Sequence, residues 1–173
     1  ARDHALEEAT HGSFFTECAA MASIDRCDPV ILGHVLAEHR DLFQLLLSVR
    51  SALGTAGPPT PDRHAAVLVS MHELRDHLRD HFTQEEQGGF LEESVTRIPR
   101  LSAAVQSILG QHPGLLAELD RVIGDLEGSP GDAGAWARAD RGFAAFSARM
   151  TAHERSENAV VQAGYNEDLG LME

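Results

Sequence analysis

The stretch His81-Phe82-Thr83-Gln84-Glu85 and its counterpart His153-Glu154-Arg155-Ser156-Glu157 decide how this chain is read. Each sets a histidine four residues before a glutamate, and on a helix positions i and i+4 share a face. Each pair therefore aims an imidazole and a carboxylate at one place. A lone histidine precedes each pair: His39 stands 42 residues before His81, and His112 stands 41 before His153. Taken singly, such a histidine is more often an ordinary helical residue, and a lone His-x3-Glu is often a surface pair. The signal lies in the matched repetition. Four imidazoles and two carboxylates converging inside a four-helix bundle have the donors to hold two transition metals.

The flanks of the lone histidines rhyme as well. Leu36-Ala37-Glu38-His39 is similar to Leu109-Gly110-Gln111-His112. Gly and Pro cut the chain into long helical pieces. Asp28-Pro29 predicts an N-cap with Pro at the first helical position, and Ile31, Val35, Leu42, Leu46, Val49 and Leu53 keep a helical period up to Gly54. A second helix is predicted over 62–87, a third over 100–127 and a fourth over 133–163 with Gly164 as its C-cap. Pro113 and Gly114 fall inside the third, so a kink or a restart is expected there, beside His112. No strand-like alternation appears. The expected fold is all-α: an up-down-up-down antiparallel four-helix bundle over 29–164, with a short N-terminal extension (1–28) and a C-terminal tail (165–173). Phe14, Phe15 and Met21 suit a short helix docked on the bundle.

The level of the histidines agrees with this outline. His39 lies 14 residues before Leu53, His81 19 after Asp62, His112 15 before Glu127 and His153 20 after Ala133. At ~1.5 Å per residue, all four sit within about two turns of one level along the bundle.

Bulk properties narrow the function. Its 173 residues favour one domain with a real core. Fourteen basic residues against 27 acidic ones leave a formal net charge of -13, which argues against nucleic acid or an anionic membrane surface as partner. No apolar stretch approaches a membrane span, and the N-terminus, Ala1-Arg2-Asp3-His4, is polar with no signal-like apolar run. Cys18 and Cys27 match no metal spacing and read as two reduced thiols of a cytoplasmic protein. No phosphate loop, nucleophile arrangement or basic patch stands out.

The segments AEHRDLFQLL, DHFTQEE, GQHPGLLAEL and MTAHERSENAVV, in chain order, resemble the hemerythrin-like, or HHE, cation-binding family over about 29–162. The resemblance implies a four-helix bundle holding two non-haem irons. His39 and His81 would bind one iron and His112 and His153 the other, with Glu85 and Glu157 bridging the pair beside an oxo, hydroxo or water ligand. The sequence departs from the family's oxygen carriers in two ways. They place His-x3-His on the third helix, whereas here Ile108 precedes His112 by four and Leu116 follows it by four. Their fourth helix carries His-x4-Asp in place of His-x3-Glu. The iron-sensing hemerythrin domain of a ubiquitin-ligase subunit resembles the two His-x3-Glu pairs more closely, but adds a Glu directly after the second-helix histidine, where this chain has Phe82.

Imidazole and carboxylate without thiolate suit Fe best here, and Mn or Zn less well. The ferritin-like pattern, Glu-x-x-His plus a Glu from each other helix, has the reverse order. His77, four before His81, is expected near the pocket and Tyr165 at a bundle end. Glu38 and Glu86 are expected to hold imidazole N–H groups. His4, His11, His34, His64 and His72 read as surface or end positions. The leading expectation is a di-iron protein that binds and reacts with dioxygen, hydrogen peroxide or nitric oxide. A non-catalytic sensing, carrying or storage module is the alternative.

Overall fold

Thr60 and Pro61 show how the helices of this chain start. The Thr60 hydroxyl accepts from the Arg63 amide at 3.3 Å, and Pro61 occupies the first turn, where its missing N–H costs nothing. The computed structural model describes residues 29–54, 59–87, 91, 95, 96 and 98–170; the side chains of 29–36, 38 and 165–170 fall outside that description. Asp28, the segment 1–28 with its two cysteines, and the tail 171–173 also lie outside the described residues.

Four long helices carry the fold, and no strand occurs among the described residues. They are α1 (Pro29–Gly54), α2 (Pro61–Glu86), α4 (His112–Glu127) and α5 (Ala133–Gly170), with a 3-10 turn (Pro99–Leu101) and a short α3 (Ser102–Leu109) leading into α4. Helix α1 packs on α2, α2 on α4, α4 on α5, and α5 back on α1, which closes a four-membered ring. Gly142 permits one of these contacts to be close: a Cβ there would stand 3.0 Å from Val122 Cγ2.

The third predicted helix is two helices. Pro113 has no N–H to give and its ring clashes with the preceding turn, so the chain leaves the helix at Gly110-Gln111 and restarts at His112 with Pro113 in the first turn. The fourth runs past its expected end. Gly164 is buried inside α5 rather than capping it, and the helix continues to Gly170. A glycine permits a helix to stop without requiring it. The start of α5 is firmly set. Gly131 turns with φ 79°, which favours glycine, and Asp132 caps the helix by accepting from the Gly134 and Ala135 amides at 2.9 and 3.0 Å.

The core is built from one stripe per helix. Leu42, Leu46, Val49 and Leu53 face Val67, Met71, Leu74 and Leu78, and also Leu115, Leu119, Val122, Leu126, Phe143, Phe146 and Met150. A smaller cluster, Leu91, Val105, Ile108 and Val160, lies apart from it. His64 departs from expectation. It is buried, with its Nε2 3.0 Å from the Leu126 carbonyl, because its place on the α2 stripe faces inward at the bundle end. His72 is exposed beside Glu127, as a surface position should be.

Candidate metal centre

The apolar stripes do not stop where the histidines begin. On α2 the buried positions run Met71, Leu74, Leu78, His81, with Phe82 beside it. On α5 they run Phe146, Met150, His153, Glu157, Val160. The same heptad-like spacing that buries leucine therefore buries the polar side chains. They form a layer between the large core cluster on one side and Ile108 and Val160 on the other. His81, His112, His153 and Glu157 are 5 % exposed or less.

Two groups of donors converge there. The first is His39, His81, Glu154 and Glu157; the second is Glu85, His112, His153 and Glu157. Within each, one ligand atom per residue lies within 4.8 Å of every other. All six residues singled out in the sequence are present: His39 and His81 stand in the first group, His112, His153 and Glu85 in the second, and Glu157 in both. The carboxylates span the two groups. Glu85 sets Oε1 3.5 Å from His81 Nε2 and Oε2 3.4 Å from His112 Nε2. Glu157 sets Oε2 3.6 Å from His39 Nε2 and Oε1 2.6 Å from His153 Nε2. Each glutamate thus turns one oxygen to each group.

Glu154 is the residue the repetition did not reveal. Its Oε2 lies 2.9 Å from His39 Nδ1 and its Oε1 3.9 Å from His81 Nε2. In the repeated pattern it stands where Phe82 stands in the first half. A search for residues shared by both halves passes over both of them. The signal was nonetheless present, since Glu154 lies three residues before Glu157 on one helical face. Phe82 takes the corresponding place on the other side. Its ring stacks on His112, centroids 3.8 Å apart and planes 2° from parallel, and meets His153 edge-on at 5.4 Å. The centre is therefore asymmetric: a carboxylate beside one histidine pair and a phenyl ring beside the other.

Neighbouring groups set the imidazole orientations. Glu86 Oε1 lies 2.9 Å from His112 Nδ1 and Gln111 Oε1 lies 3.3 Å from His153 Nδ1, so both rings present Nε2 to the layer. Glu86 thereby takes the part foreseen for it. Gln111 holds its own place by donating to the Ser107 carbonyl, across the α3–α4 break. The break set by Pro113 thus positions both His112 and the group that holds His153. His77 is half-buried on α2 and belongs to neither donor group. The side chains of Glu38 and Tyr165 lie outside the described residues. Of the two places where the oxygen carriers' second third-helix histidine could fall, Ile108 is buried in the small apolar cluster and Leu116 packs against the large one.

The electrostatics suit a cation. Burial lowers His81 and His153 to about 4, and for His81 the neighbouring imidazoles add to the effect. His112 is lowered by burial too, against the hydrogen bond that its Nδ1–H donates to Glu86. Glu157 is raised to about 8, first by burial and then by the Glu154 charge. Neutral imidazoles are the form that ligates metal. His112 Nε2, His153 Nε2 and both oxygens of Glu154 and Glu157 are buried and make no hydrogen bond of proper geometry. They approach one another as atoms aimed at a common point do. A cation bound at each group would satisfy them, and buried polar groups without such compensation are costly.

Fold and site together define a helical bundle with a histidine–carboxylate cation centre in its core. The model of the hemerythrin HHE cation-binding domain matches residues 30–163, and the chain belongs to that family. No curated protein and no solved structure matches it. Among the described residues no helix is long and apolar enough to cross a membrane.

Proposed function

We propose that the two donor groups hold two iron ions, one at His39 and His81 and one at His112 and His153, bridged by Glu85 and Glu157. The reading rests on one observation: each of these glutamates turns one oxygen to either group. Iron is favoured over Mn or Zn by the imidazole–carboxylate set in a helical-bundle core. Glu154 adds a carboxylate on the His39 side. The helices are read as up-down-up-down and antiparallel, which their ring of neighbours and short connections support.

Held there, two irons would supply exchangeable coordination positions and a two-electron reservoir for dioxygen, hydrogen peroxide or nitric oxide. The chain's own residues do the rest. Leu42, Leu78, Leu115, Met150 and Ile108 exclude water, while Glu86 and Gln111 orient the imidazoles. The negative net charge accords with a small-molecule ligand and no nucleic acid. Protein purified from iron-replete cells should contain close to two Fe per chain, and azide should add a charge-transfer band to its spectrum. One tightly held Zn would overturn this reading. A second reading, a sensing, carrying or storage module without turnover, is favoured by the phenyl ring on His112. Peroxide consumption no faster than by the apo-protein would select it.

A further inference from the structure

The His39 side of the donor layer meets solvent at a cavity. It has a volume of about 270 Å³, lies between α1 and α5, and has His39 and Glu154 in its wall. Neither His112 nor His153 reaches it; each is 1 % exposed. Leu42, Leu46 and Phe43 make its apolar side, and Phe43 is 49 % exposed. Thr151, Asn158 and Arg40 make its polar side. The Thr151 hydroxyl donates to the Ser147 carbonyl at 2.9 Å.

We propose that this α1–α5 cavity is the port through which small exogenous ligands reach the centre, with Thr151, Leu46 and Phe43 setting its bore. The inference rests on the proposed iron site. Three observations carry it. The cavity wall holds donors of the His39 group and none of the histidines of the other. The opposite histidine pair is covered by Phe82, and Ile108 is packed in the small apolar cluster. The cavity, at about 270 Å³, is also large enough to admit a small ligand beside His39 and Glu154.

The test plugs the port in protein that is already folded and loaded. Thr151→Cys is made in a Cys18→Ser, Cys27→Ser background, loaded with iron, and treated with thiol reagents of increasing size. Iron content and azide association are then measured by metal analysis and stopped-flow absorbance. The expected result is unchanged iron and azide association slowed about tenfold or more by the bulky label, with the same background lacking Thr151→Cys unaffected by the reagent. Phe43→Ala should speed association. Unchanged association after complete labelling overturns the port, and would move access elsewhere, such as the 14 % exposed Glu85 edge. No azide band in the unlabelled, iron-loaded protein overturns the iron-site reading itself, a result separable from failure of the port.

Discussion

Glu157 concentrates the problem this chain solves at the scale of one residue. It is 1 % exposed, faces His153 and His39 with different oxygens, and is held near neutrality by burial when no cation is present. Such a side chain stabilises nothing in an apolar core by itself. Glu157→Ala should therefore lower the occupancy of both metal positions, as should Glu85→Ala, whereas His39→Ala should empty mainly one. Metal analysis of the three variants checks this, and loss of a single metal in each glutamate variant would refute the bridging assignment. Glu86 acts one step further out, through its contact with His112 Nδ1. Glu86→Ala should keep the fold and weaken metal affinity by roughly 10- to 100-fold, measured by competition with a chelator. An affinity equal to wild type would show that Glu86 does not position His112.

At the scale of the element, the starts of helices are set by short local devices, and these are open to direct test. Asp132 caps α5, and its two amide hydrogen bonds hold its carboxyl below the usual carboxylate range. A carboxylate whose folded pKa is depressed adds stability above its unfolded pKa, and that stability is lost as pH falls through the folded value. Asp132→Ala should lower the thermal midpoint by a few degrees at pH 7, and the difference should vanish in acid below the depressed pKa. A gap that persists in strong acid would assign the effect to something other than the charged cap. The α3–α4 break is the other decisive element. Pro113 was visible as a disruption, but the residue that profits from it, Gln111, was not. Its use depends on His153 arriving from a helix 42 residues away.

For the whole molecule, metal and fold are linked. The donor layer lies between two apolar clusters, so removal of the cations leaves carboxylates and imidazoles buried face to face. Anything bound to the native state alone, at 100 times its Kd, stabilises by about 2.7 kcal/mol. In a chain of this length each ~1 kcal/mol moves the thermal midpoint by about 2–4 °C. Chelation should then lower the midpoint by roughly 10–20 °C if both positions are emptied, each having been filled at about 100 times its Kd. Equal midpoints with and without chelator would argue against a core site. The bundle and the six paired donors were legible beforehand because helical period and i,i+4 spacing are local properties of the chain. His64 was misplaced because whether a histidine near a helix start faces water depends on what packs over it, here the end of α4.

By itself, the sequence determined the helical pieces, the level of the histidines along them, and the shared face of each His-x3-Glu pair. All of these follow from rise per residue and from side chains recurring on one face. Only the tertiary structure decided how the two halves differ. Phe82 and Glu154 occupy matching positions after matching histidines. One stacks on an imidazole and the other turns a carboxylate to the opposite pair. Their chemistry differs in the sequence, but which imidazole each one meets is set by helices distant in the chain. The same holds for the cavity between α1 and α5, which is a gap between two surfaces and belongs to neither helix alone.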